Sequence, residues 1–186
     1  MNEDEASKRP SVVVAEKKDL EKLEAKRAEV EGLISALESR ATDLVKKCEH
    51  LQRNDQTLGI QDFRSFQDLA SESMTFLILI ERKLKNVPKG EESELGEHFY
   101  DLVVAIWSVV MKGALAFLSV ISAELHMPLG SREVFLRELR VLNDAQTMLD
   151  SESYKDRLTD EMKREMKTAE HILNEVLEKA PTLLAY

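Results

Sequence analysis

The stretch LVVAIWSVVMKGALAFLSVISA, Leu102 to Ala123, decides the fold, because it reads either as a membrane span or as the spine of a soluble bundle. As a helix it measures roughly 33 Å at 1.5 Å per residue, against a hydrocarbon core of about 30 Å. Its one charge, Lys112, sits near the middle. A lysine there costs about 2.5 to 3.5 kcal/mol on insertion, and each surrounding Leu, Val, Ile or Phe contributes roughly 0.3 to 0.6 kcal/mol in favour, so insertion is energetically open. The flanks, EESELGEHFYD upstream and ELHMPLGSRE downstream, lack the Lys/Arg asymmetry that sets an orientation.

Angular placement separates the two readings. At about 100° per residue, Asp101, Ala105, Ser108, Lys112, Ser119, Ala123 and His126 share one stripe, in which Leu115 is the only large apolar side chain. The remaining surface carries Val103, Ile106, Trp107, Val110, Phe117, Leu118 and Ile121, enough for two or three amphipathic neighbours to grip. The expectation is a central helix in a soluble bundle, with Lys112 at a solvent edge or in a polar seam. The alternative is a membrane-active protein that inserts this helix, through Val103, Ile106, Trp107, Val110, Lys112, Phe117 and Ile121.

The neighbours are visible on both sides. Leu20, Leu23, Val30, Ile34, Leu37, Ala41, Leu44, Cys48 and Leu51 recur three and four apart, with Arg27 in the one missing place. With Leu20 at heptad position a, this is a narrow zipper-like seam. A helix over 12–54 is roughly 60 Å long, longer than a compact core of this size needs, so part of it projects or pairs with another chain. The predicted self-association seam is Leu20, Leu23, Val30, Ile34, Leu37, Leu44 and Leu51. Parallel pairing brings Lys26 to Glu31 but also Asp19 to Glu24, which leaves the orientation open.

After the turn chemistry of RNDQTLG, a second helix carries Phe63, Phe66, Ala70, Ser73, Leu77, Ile80, Leu84 and Val87, stopped by Pro88. Ser93 caps a third helix that runs to His126, and Ser131 caps a fourth with Val134, Leu139, Leu142, Ala145 and Leu149 on its face. A fifth carries Met162, Met166, Ala169, Leu173, Val176 and Ala180 up to a stop at Pro181. The prediction is all-α: a polar disordered tail over 1–11, then a single helical-bundle domain over 12–186 with its helical core at 60–181.

Composition agrees with five long helices: 186 residues hold only four prolines and six glycines. A net charge of −9 argues against nucleic acid as a partner, since a polyanion needs clustered Lys and Arg. The lone Cys48 cannot form an internal disulfide and suits a reducing, cytoplasmic setting, and MNEDEASKRP is not of signal-peptide form.

Chemistry leaves few marks. The four histidines include no pair four apart and no Glu-x-x-His, so no metal or other cofactor is expected. Glu94, His98 and Asp101 share a face and read as a solvated helix start. FQDLASE, Phe66 to Glu72, resembles over seven residues the active helix of the chemotaxis response-regulator phosphatases. Those are helical dimers that orient a water with an acid and a glutamine one turn apart. Here Glu72 stands in the glutamine's place after Asp68, and a carboxylate cannot donate the hydrogen bond an amide donates. The sequence therefore points to a non-enzymatic helical interaction or adaptor protein, homo-oligomeric, with an unidentified protein partner.

Overall fold

The computed structural model describes residues 9–53, 60–87, 92–123 and 131–183, and within them the side chains of 21–53, 61–87, 94–119, 133–175 and 178. Among these residues there are five α-helices and no strand: α1 (Arg9–Arg53), α2 (Ile60–Leu84), α3 (Glu92–Ala123), α4 (Ser131–Leu149) and α5 (Asp160–Leu183), with a single 3₁₀ turn at Lys155–Arg157 before α5.

The predicted face of α2 is buried without exception, from Phe63 to Leu84, as is Val87 in the turn just beyond it. It packs against α1 in antiparallel fashion, with Lys83 Nζ 2.6 Å from Glu29 at one end, Arg40 on Glu72 midway, and Lys47 donating to Ser65 Oγ at 2.7 Å near the other. α3 returns parallel to α1, its His98 against Glu38 and its Val109 carbonyl against Cys48 Sγ. It touches every other helix of the bundle. That position explains its composition: Val103, Val104, Ile106, Val110, Met111, Ala114, Phe117 and Leu118 are all buried, and a helix surrounded by neighbours is apolar nearly all round.

Between α2 and α3 the Phe63 and Phe117 rings stack with centroids 4.4 Å apart, and Phe66 joins Phe63 at 6.4 Å. The Phe66 ring lies so close to Gly113 that a Cβ there would overlap it.

Several helix ends differ from the sequence expectation. α1 is already helical at Arg9, inside the expected tail, the rest of which lies outside the described residues. α3 begins at Glu92, one residue before the expected Ser93 cap, and is described to Ala123 rather than His126. α5 continues two residues past Pro181. Proline removes one N–H and crowds one carbonyl, a cost that falls on a single turn, and the carbonyls of Pro181 and its successors are unaffected.

Candidate functional site

The polar stripe of α3 lies against α5. Lys112 is three-quarters covered, with Nζ 3.0 Å from Glu165 and 3.4 Å from Glu161. Burial pushes its ammonium down, but the two carboxylates more than offset this and hold it above the ordinary lysine value. Cys48 lies nearby on α1, and burial raises its thiol to about 11, which makes it a small apolar filler rather than a nucleophile. One turn below Lys112, Ser108 is buried with its hydroxyl unpaired.

A second ionic contact fastens the start of α5. Arg157 reaches Asp101 at 2.7 Å and Glu97 at 2.5 Å, both on α3, and its guanidinium lies 5.5 Å from the Tyr100 ring. Asp101 is thereby separated in role from His98, which faces Glu38 on α1 at 2.8 Å. Glu94, His98 and Asp101 do not converge, and among the described residues no group of His, Cys, Asp and Glu is placed to hold a metal. Asp68 is exposed, and Glu72, one turn on along the same helix, is engaged by Arg40 of α1.

A groove of about 350 Å³ has α3 as its floor and α2 and α4 as its walls. Phe66, Ala70, Met74, Trp107, Val110 and Val141 supply its apolar lining. One end is polar. Glu138 on α4 is only 3% exposed and accepts hydrogen bonds from Gln67 Nε2 across the groove and from Arg137 Nε at 3.3 Å. Burial pushes its carboxyl above the usual glutamate range, against the opposing pull of Arg137 and Gln67. Beyond the other end, Ile78 lies one turn on from Met74 along the same face of α2 and is 54% exposed. The volume is at the lower edge of small-molecule pockets, and the apolar stripe running on to Ile78 makes it a furrow rather than a cup.

The predicted residues fall into two groups. Val30, Ile34, Leu37, Leu44 and Leu51 are buried in the chain's own core, in the interface of α1 with α2 and α3. Leu23 is 38% exposed, and the side chain of Leu20 lies outside the described residues. On α3, Val103, Ile106, Val110 and Phe117 are core, Trp107 is half-buried in the groove, and the side chain of Ile121 is outside the described residues. Glu138 was not anticipated, although its signal is present. Phe135, Leu142, Ala145 and Leu149 follow the helical spacing with one gap, and Glu138 occupies it.

Comparison with protein-family models, with characterised proteins and with solved structures finds no match to this chain.

Proposed function

We propose that this chain is a non-enzymatic helical interaction protein, which associates with a second copy through the N-terminal end of α1 and receives a helical segment of a protein partner in the groove between α2, α3 and α4. The observation that carries the reading is the groove itself. Its walls are two helices and its floor a third, so an inserted amphipathic helix would pack as one more member of the bundle, with apolar anchors every three or four residues. The Gln67–Glu138–Arg137 group gives one end a polar stop that fixes register. The test is a photoreactive phenylalanine at Ile78, irradiated in cells. The expected adducts map to one segment of one protein and disappear with Ser71→Arg, which crowds the groove from an exposed position. Adducts that scatter, or that persist in the Ser71→Arg variant, would remove the groove from consideration.

A second reading rests on α3, where Glu94–Ser119 is long and apolar enough to cross a membrane, with 56% of that window buried inside the bundle. Insertion would dismantle the core that α3 organises, which ranks this reading second. Cosedimentation with liposomes, together with dye release, would reverse the order.

A further inference from the structure

We infer that the helix received by the groove carries a lysine or arginine that pairs with Glu138, donating to the carboxylate oxygen that the chain's own side chains leave unused. The inference rests on the groove reading above and adds the chemistry of one partner residue to it.

Glu138 is a carboxylate in an apolar place. Its side chain is 3% exposed, and both of its hydrogen bonds, from Gln67 Nε2 and from Arg137 Nε, fall on the same oxygen, Oε1. Oε2 receives none among the described residues, yet it is not sealed in the way the unpaired hydroxyl of Ser108 is, and it keeps an opening to solvent. Both neighbours act as donors, so the surroundings suit the ionised form, whose two oxygens accept about four hydrogen bonds when fully served. A buried acceptor served only by residual water is a standing cost, and a docked donor removes it.

Docking turns that vacancy into a demand for a cation. The charged side chains lining the groove are Arg137, Glu138 and Asp144, one positive and two negative. Arg137 serves Glu138, and Asp144 makes no ion pair among the described residues. A helix laid over Phe66, Trp107 and Val141 expels the water that screens these charges, and an unbalanced carboxylate under such a cover costs far more than one in water. One positive charge on the partner restores neutrality. A neutral donor would complete the hydrogen bond but leave the charge, and an acid would add a third carboxylate.

The place of the cation follows from exposure. Asp144, roughly 9 Å further along α4, is exposed and stays hydrated at the rim, whereas Glu138 is enclosed. A lysine or arginine lays its apolar stem along the lining and brings its head to Oε2. The apolar anchors of the same helix then fall within the two turns that separate Gln67 from Met74 on α2.

The test is selection from a displayed library of helical peptides, randomised along one face, against the full native chain and in parallel against its Glu138→Gln and Ser71→Arg variants, with thermal unfolding as the check that each is folded. Peptides enriched on the native chain are expected to share apolar residues three or four apart and a lysine or arginine within two turns of them; those enriched on Glu138→Gln are expected to lack the basic residue. Replacing that residue by methionine in one selected peptide is expected to weaken binding to the native chain by about tenfold or more, read by fluorescence anisotropy, and binding to Glu138→Gln by less than about twofold. Peptides that are blocked by Ser71→Arg but show no basic preference, or the same preference on Glu138→Gln, would overturn the inference and keep the groove reading. No enrichment on the native chain, or peptides that bind Ser71→Arg as tightly, would overturn both. Octylammonium binding as tightly as the selected peptide would assign the groove to a small amphiphilic cation and overturn the helical occupant.

Discussion

Gly113→Ala tests the closeness of α2 and α3, on which the groove floor depends. Replacing a mid-helix glycine by alanine ordinarily stabilises by about 0.8 to 1.0 kcal/mol. Here the added Cβ would overlap Cε1 and Cζ of Phe66, a ring that is 2% exposed and stacked on Phe63, which stacks in turn on Phe117. Overpacking of that kind costs about 1 to 3 kcal/mol. With the propensity gain set against the upper part of that range, the net loss is about 1 to 2 kcal/mol, or roughly 2 to 8 °C in melting temperature for a chain of this size. The assay is urea and thermal unfolding of four proteins: native, Gly113→Ala, Phe66→Leu, and the double variant. In the Phe66→Leu background the ring is gone, so the alanine is expected to be neutral or stabilising by up to about 1 kcal/mol. An increase in melting temperature on Gly113→Ala alone, or an equal loss in both backgrounds, would refute the close-packing argument. Because Trp107 is the chain's one tryptophan and lines the same groove, its emission reports the shift independently.

Three further outcomes are expected. Burial raises the Glu138 carboxyl, so its cost to folding is greatest above its folded pKa and disappears as pH falls below the unfolded value; Glu138→Gln is expected to stabilise by on the order of 1 kcal/mol at pH 8 and by nothing at pH 4, read by denaturant unfolding at both. Lys112→Met leaves Glu165 three-quarters covered and unneutralised and is expected to cost about 1 to 2 kcal/mol, most of it recovered by adding Glu165→Met. Since Lys112 is held above its ordinary value, its stabilisation is complete below that value and is lost as pH rises through the higher one, so native and Lys112→Met chains should converge in strong alkali. Cys48, with its thiol raised to about 11, is expected to react with a disulfide reagent at pH 8 only as fast as the bundle opens, and denaturant should accelerate the reaction steeply.

The helices were legible because periodicity reports which face is covered: Phe63 through Leu84 on α2 is the clearest case. Periodicity does not report what covers the face. The seam from Val30 to Leu51 reads equally well as a zipper between chains or as a core position within one, and the structure seats it on α2 and α3. Lys112 was legible as a member of a polar stripe, but its carboxylate partners stand some fifty residues away on α5, beyond the reach of any local pattern. The groove was illegible for the same reason. It exists between two helices that face each other across a third, and the Gln67–Glu138 contact that registers it joins residues seventy-one apart.

The central place of α3 also bears on how the chain is made. Synthesis proceeds from the N-terminus, so α1 and α2 are complete when the most apolar helix leaves the ribosome, and α4 and α5 are not. Half of the cover for α3 is ready and half is still to come. During that interval the surface that will become the groove floor, and the side that Glu161 and Glu165 will later close, stand open to any passing apolar chain. Slowing translation after Ala123 should lengthen this exposure and raise aggregation, whereas a pause before Glu92 should leave the yield of soluble protein unchanged.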